Sequence, residues 1–384
     1  MNKNIYCDGE IINKAGADRI VIYKVILKSI NEDVFRIARK NCEIRYDDTL
    51  VEGKRFYRTK NSVNFNFLRI DDDQLGTITF GVKKLPYGIF QFSPKNKWDG
   101  VNLVNFSAND VHAFIVDAAE KLKNKYGLEV DFENAEIREI ELNTTYPLEY
   151  NFADYRRVID IMTLIPPYLK KDACYGGNDK KNEVKLIEGK STGNKQLSLI
   201  IYNKTKEIKA ALGSLDDIVI RNEDGAVVNQ ELMRAEFKLM TAECVEKKFH
   251  GKTLLRELDD TLIKQVFEEL AIFYIFKPFE RWDIKNKEKL KKMIDKLLSH
   301  KNCGQQWKME LLELLRNEEQ MNGYPVLLDA EELYFVLREF PDAGGHVSRR
   351  TSGFQFREND VFLQNDGIKY LEILGNILVA MDYH

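Results

Sequence analysis

The sequence predicts an α+β fold in which helices pack on one face of an antiparallel β-sheet and a helical segment follows. Runs of alternating apolar and polar residues dominate the first half of the chain, as in half-buried strands. Amphipathic segments with apolar residues at spacings of three and four interrupt these runs. From about residue 242 onward, helical periodicity replaces the alternation.

With 384 residues, 44% of them hydrophobic, the chain can form two domains with a sizeable core. We expect a sheet domain over residues 1–245 and an α-helical domain over residues 246–384. The formal net charge of −3 argues against a polycationic coating protein, although local basic patches could still contact nucleic acid.

Five scattered cysteines without a CxxC pair argue against a zinc ribbon or a disulfide framework. The first residues lack the apolar stretch of a signal peptide. The longest apolar run, Leu270–Phe276, is too short to cross a bilayer. We therefore expect a cytoplasmic protein with free thiols and no membrane partner.

The first hundred residues contain β-prone runs separated by Asp-rich and Pro-Tyr-Gly turns. The strands predicted there are Arg19–Leu27, Ser62–Ile70, Gly76–Leu85 and Gly88–Phe92. A helix follows, with Ser107 as its N-cap and Asp110 in its first turn. The apolar stripe of this helix runs from Val111 to Leu122.

A second amphipathic helix is predicted near Ala153–Leu164, because Pro166 and Pro167 would end it. After it we predict a hairpin with arms at Glu183–Gly189 and from Lys195, a short helix at Thr205–Leu212, and a loop at Gly213–Asn229. The later predicted helices are Thr253–Phe276, Lys285–Ser299, Gln306–Glu319, Ala330–Phe340 and Ile368–Met381.

Three strand-like runs, 135–142, 195–202 and 232–240, each have one apolar side. Their apolar sides carry Ile140, Leu142, Leu197, Leu199, Ile201, Met233, Ala235, Phe237 and Leu239. Their other sides carry Glu139, Glu141, Ser198, Ile200, Tyr202, Arg234, Glu236 and Lys238. If the three runs pair in one sheet, the second face collects a tyrosine, carboxylates and cations. Such a face suits metal-assisted phosphoryl transfer to a tyrosine.

Tyr202 is one of 17 tyrosines. A tyrosine on a strand usually has only a structural role, as a half-buried side chain packed against its neighbours. As a nucleophile it needs a base or a nearby cation, because its unperturbed pKa is about 10. Lys204 and Lys206 follow it closely, although both could be solvated charges at the strand end. Glu207 is a candidate ligand or base.

Glu141 and Glu236 each interrupt a β-prone run, so each is either solvated or bound to something. Carboxylate oxygens from neighbouring strands are the hard ligands that Mg²⁺ or Mn²⁺ needs. Glu139 could join them, or could instead form a cross-strand ion pair with Arg234. The histidines do not cluster, and the chain has no Walker loop, dinucleotide fingerprint or evident Ser- or Cys-based triad.

Two C-terminal segments are locally basic. Residues 281–301 carry eight basic and three acidic side chains, and include Lys289 and Lys292. Residues 348–357 interleave Arg349 and Arg350 with two phenylalanines. Both segments could track phosphates or stack on bases, but a solvated helix face and a loop docked on the protein are the alternatives.

The order of these elements resembles the gene II/X replication initiators of filamentous phages, which are related in plan to plasmid initiators of the replication-initiation-factor type. The resemblance covers about residues 100–250. Its motifs are Asn105-Phe-Ser-Ala, Glu139-Ile-Glu141, the Asp154–Met162 segment, Tyr202-Asn-Lys204-Thr-Lys-Glu207 and Arg234-Ala-Glu236. The family has Arg-Ile-Asp where this chain has Glu139-Ile-Glu141, which lengthens the ligand arm at 141 and adds an acid at 139.

The resemblance implies a relaxase-like (HUH-like) sheet domain that nicks and rejoins a plus-strand origin during rolling-circle replication of a phage or plasmid. Tyr202 would be the nucleophile that becomes joined to the 5′ end, Lys204 would stabilise the phosphate or phenolate, and Glu207 would assist. Glu141, Glu236 and Glu139 would hold Mg²⁺ or Mn²⁺.

The partners implied are origin DNA, duplex and single-stranded, with host helicase and polymerase. The helical domain would recognise DNA or serve as an accessory. Predicted DNA contacts are Lys206, Arg234, Lys238, Lys289, Lys292, Arg349 and Arg350. Two alternatives remain: a DNA-binding relative that has lost catalysis, and an unrelated protein-interaction scaffold.

Overall fold

A computed structural model describes residues 3–6, 15–41, 43–47, 57–58, 64–65, 67–81, 88–97, 103, 105–155, 173–174, 183–189, 195–212, 218–221, 231–277 and 364–380. The predictions that lie outside these residues are most of Ala153–Leu164, the helices Lys285–Ser299, Gln306–Glu319 and Ala330–Phe340, and the basic residues Lys289, Lys292, Arg349 and Arg350.

The described strands are β1 (Lys3–Tyr6), β2 (Gly16–Ile30), β3 (Ile44–Asp47), β4 (Tyr57–Arg58), β5 (Asn64–Phe65), β6 (Phe67–Asp72), β7 (Gly76–Phe80), β8 (Gly88–Phe92), β9 (Leu128–Asp131), β10 (Glu136–Pro147), β11 (Ala173–Cys174), β12 (Glu183–Gly189), β13 (Lys195–Asn203), β14 (Ile218–Arg221) and β15 (Leu232–Leu239). The described α-helices are α1 (Glu32–Lys40), α2 (Pro94–Lys97), α3 (Ala108–Tyr126), α4 (Lys204–Leu212), α5 (Ala242–Lys248), α6 (Asp260–Ala271) and α7 (Gln364–Ala380).

The fold is α+β, as predicted. Its main sheet is antiparallel, with strand order β11-β12-β13-β15-β10-β2-β8-β7-β6-β3, and β9 pairs with the far end of the long strand β2. Among the described residues, β1 and β14 form a separate parallel pair. Strand β14 lies within Gly213–Asn229, so the prediction of a continuous loop there is wrong. The run was too short and too weakly alternating to be recognised as a strand.

The three strands with polar sides are neighbours in the order β13-β15-β10, which confirms the predicted pairing. Arg234 lies opposite Tyr202 on one side and Thr145 on the other. Directly opposed residues of antiparallel strands point to the same face of the sheet. The polar sides of all three strands therefore form one continuous surface, which we call the polar face.

Strand β2 pairs with β10 and is irregular where it passes Glu141. Asp18 and Arg19 together oppose the single residue Glu141, so β2 carries an extra residue there. A bulge of this kind turns additional side chains toward the partner strand. This irregularity brings Asp18 to the polar face.

The opposite face of the sheet forms the core. Ser107 is the N-cap of helix α3, as predicted, and it forms a capping box with Asp110. The helix ends at Gly127, whose φ of 69° is left-handed. The predicted apolar stripe of α3 is buried. Phe114 of this helix stacks on Phe92 of β8, with ring centroids 5.0 Å apart.

Helices α5, α6 and α7 also pack on β10 and join the same core. Helix α6 starts at its N-cap Asp259, later than the predicted start of Thr253–Phe276, and its Phe267 meets Phe237 of β15 edge-on. These described helices follow residue 241, and the division of the chain at residue 245 stays a prediction. Among the described helices, none has the length and apolar content needed to span a bilayer.

Candidate functional site

Three carboxylates converge on the polar face. Asp18 of β2, Glu141 of β10 and Glu236 of β15 each place one carboxylate oxygen within 4.8 Å of the others. We call these residues the acidic triad. The sequence predicted two members, Glu141 and Glu236. It missed Asp18. The one feature of the sequence that could have indicated this residue is its position directly before the predicted strand Arg19–Leu27.

Tyr202 contacts the acidic triad. Its hydroxyl donates a hydrogen bond to Oε2 of Glu236 over 3.1 Å. The Tyr202 ring is half-buried, and burial of the phenol together with the charge of Glu236 raises its pKa well above 10. The sheet therefore holds a protonated tyrosine beside a group of carboxylates.

Lys238 links two of the carboxylates. Its ammonium lies 2.5 Å from Glu236 Oε1 and 3.1 Å from Glu141 Oε1. Burial by itself would raise the pKa of Glu236, but the cation of Lys238 outweighs it and lowers that pKa. Lys238 thus keeps Glu236 ionised beside Tyr202.

Arg234 holds the third carboxylate. Its guanidinium lies 3.0 Å from Asp18 and also donates to the Thr145 hydroxyl and the Leu103 carbonyl. The Arg234 side chain has 0% exposure. It has no surface with which to contact DNA, so the predicted DNA contact is corrected to a buried ion pair with Asp18.

Glu139 lies outside the acidic triad. Its carboxylate pairs with Arg19 at 3.2 Å. Asp18 therefore takes the third position predicted for Glu139, because the bulge in β2 brings the shorter acid closer. The alternative Glu139–Arg234 ion pair is also wrong, since Arg234 pairs with Asp18.

Helix α4 starts immediately after the Tyr202 strand and carries Lys204, Lys206 and Glu207. Lys204 Nζ lies 2.6 Å from Glu207 Oε2 and 6.0 Å from the Tyr202 ring centroid. Lys204 is 1% exposed, and burial, followed by the positive charge of Arg234, lowers its pKa to about 8. Glu207 is half exposed and outside the acidic triad, and Lys206 is exposed.

The acidic triad suits a hard divalent cation. Its donors are carboxylate oxygens from three adjacent strands, which matches the preference of Mg²⁺ and Mn²⁺ for oxygen ligands. Three cations, Lys238, Arg234 and Arg19, pair with these carboxylates, so the fit to a metal ion rests on the three closely spaced oxygen donors rather than on an excess of negative charge.

The metal-free protein should lose stability as the pH rises toward neutrality. Burial and the charge of Glu236 raise the pKa of Glu141 to about 7. Between the ordinary carboxyl pKa and about 7, the folded state therefore binds more protons than the unfolded state, so stability falls with rising pH. In chelator, we expect a loss on the order of 2 kcal/mol between about pH 5 and pH 7. Urea unfolding of wild type and Glu141→Gln checks this, and an unchanged pH dependence in the variant would contradict it.

Comparison with known proteins gives one weak likeness. No protein-family model matches the chain, and no curated protein matches it. The solved structure of a rolling circle replication initiator protein from Geobacillus stearothermophilus aligns with a TM-score of 0.32 at 10% sequence identity. The alignment covers 68% of this chain and 85% of that one.

Proposed function

We propose that this protein is a rolling-circle replication initiator, which cuts and rejoins one DNA strand at an origin through Tyr202. One observation carries the proposal: the Tyr202 hydroxyl is hydrogen-bonded to a member of the acidic triad on the polar face. The motif resemblance to the phage gene II/X initiators supports the same assignment at Tyr202, Glu141 and Glu236.

The proposed step is an in-line displacement at one backbone phosphate. The phenolic oxygen of Tyr202 forms a bond to phosphorus, and the bond from phosphorus to the 3′ oxygen breaks. The phenol loses its proton, and the departing 3′ oxygen gains one. The 5′ end stays on Tyr202 as a phosphodiester, so a later attack by a 3′-hydroxyl rejoins the strand without ATP.

The residues around Tyr202 have different roles in this reaction. Glu236 orients the phenol through its hydrogen bond, and the buried Lys204 stabilises the negative charge that develops on the phenolic oxygen of Tyr202. Asp18, Glu141 and Glu236 would hold Mg²⁺ or Mn²⁺, which when bound supplies electrostatic stabilisation to the reacting phosphate. Arg234 and Lys238 keep these carboxylates in position.

DNA contacts are proposed for the exposed residue Lys206, for Lys238, and for the basic segments 281–301 and 348–357, which contain Lys289, Lys292, Arg349 and Arg350. Glu207 assists by pairing with Lys204. The free 3′ end would pass to host helicase and polymerase in the cytoplasm, in the replication of a phage or plasmid.

The direct test is the covalent adduct. Purified protein is incubated with Mn²⁺ and supercoiled DNA that carries the origin of its own replicon, and the products are separated under denaturing conditions. We expect open circles and a protein–DNA adduct, with mass spectrometry of the digested adduct locating the nucleotide on Tyr202. An adduct at another residue would contradict the proposed nucleophile.

The same reactions separate the rival functions. Binding to origin DNA without cutting would favour a DNA-binding relative that has lost catalysis. Neither binding nor cutting would favour a protein-interaction scaffold. Omission of Mn²⁺, with a chelator present, should abolish cutting and leave much of the phosphate-directed binding.

A further inference from the structure

Asn143 carries a buried amide that no side chain or main-chain group in the described part of the chain pairs with. Its side chain is 0% exposed, and neither Oδ1 nor Nδ2 has a hydrogen-bond partner among the described residues. Buried polar side chains are normally hydrogen-bonded, so an orphaned amide calls for a specific explanation. The main-chain carbonyl of Asn143 is satisfied, since it accepts from Asn105 Nδ2 at 3.2 Å.

The strand register places this amide on the polar face. Asn143 lies in β10 between Glu141 and Thr145, both of which use that face to contact Lys238 and Arg234 respectively. In the neighbouring strand β15, the residue directly opposite Asn143 is Glu236. Opposed side chains of this kind lie about 5 Å apart at Cβ.

The oxygen atoms around Asn143 favour a cation as its missing partner. On the same face, Asp18, Glu141 and Glu236 already place three carboxylate oxygens within 4.8 Å of one another. An amide oxygen is a ligand for hard divalent cations and adds no further negative charge to the site. Its NH₂ group can at the same time donate to a carboxylate.

We infer that Asn143 Oδ1 is the fourth protein oxygen of a divalent-cation site formed with Asp18, Glu141 and Glu236. With the ion bound, its Nδ2 would donate to one of these carboxylates and keep it aimed at the ion. The inference rests on the metal site of the proposed function and is independent of strand cutting by Tyr202.

The test is Mn²⁺ binding to the full-length protein, followed by the electron paramagnetic resonance signal of free Mn²⁺. Asn143→Ala removes the ligand, and Asn143→Asp retains an oxygen at the same place. Thr144→Val is the matched control. Thr144 is also fully buried, its hydroxyl also has no partner among the described residues, and it points to the opposite face of β10. Unfolding in chelator shows that each variant folds.

We expect Asn143→Ala to weaken Mn²⁺ binding by at least about tenfold and to reduce the rise in unfolding temperature that Mn²⁺ produces. Asn143→Asp should bind substantially better than Asn143→Ala, and Thr144→Val should bind like wild type. Wild-type affinity in Asn143→Ala would overturn the inference, as would equal losses in Asn143→Ala and Thr144→Val or no saturable Mn²⁺ binding in wild type. If binding depends on Asn143 but no Tyr202 adduct forms, the inference stands and strand cutting fails.

Discussion

Tyr202→Phe is expected to remove strand cutting and the covalent adduct, with a loss of at least about 10⁴-fold. Phenylalanine retains the ring but has no oxygen with which to attack phosphorus. Glu236 loses one hydrogen bond and keeps its ion pair with Lys238, so we expect destabilisation of only about 1 kcal/mol. Origin binding should persist, because the ring is not a phosphate contact. A nicking assay and a gel-shift assay on one preparation measure both properties.

Tyr126→Phe is the matched control. Tyr126 of α3 also donates its hydroxyl to a carboxylate, that of Asp72. Unlike Tyr202, Tyr126 does not lie on the polar face. Its loss should lower stability by a similar amount and leave cutting unchanged. An adduct of wild-type yield from Tyr202→Phe would show that another residue is the nucleophile.

Arg234→Met is expected to destabilise the fold by about 3–5 kcal/mol. The guanidinium is fully buried, and its removal leaves the Asp18 carboxylate in the interior without its 3.0 Å partner. Methionine fills much of the volume, so the cost arises chiefly from the loss of the buried ion pair between Arg234 and Asp18. Denaturant unfolding in chelator measures the loss without a contribution from bound metal.

Two further variants separate this explanation from a role of Arg234 in DNA binding. Adding Asp18→Asn to Arg234→Met should recover part of the lost stability, because the buried negative charge that faced the guanidinium is removed as well. Lys206→Met, at an exposed position, should change stability by less than about 0.5 kcal/mol. Wild-type stability in Arg234→Met, together with weakened DNA binding, would restore the original prediction of a DNA contact.

Much of the site was predictable because strands have a period of two. The alternation in β10, β13 and β15 assigned Glu141, Tyr202 and Glu236 to one side and the apolar residues to the other, and the observed register agrees. The capping box of α3 was equally local, since Ser107 and Asp110 satisfy each other within one turn. Patterns of this kind depend only on neighbours in the chain.

The extra residue in β2 follows no such pattern, and it decides that Asp18, rather than Glu139, completes the acidic triad. Burial could not be predicted from local sequence either. Arginine and lysine are normally exposed to solvent, yet the side chains of Arg234 and Lys204 are both buried. The sequence by itself thus determined which side chains share a face. Only the tertiary structure decided which of them meet and which lose contact with water, because strand irregularities and burial depend on segments far apart in the chain.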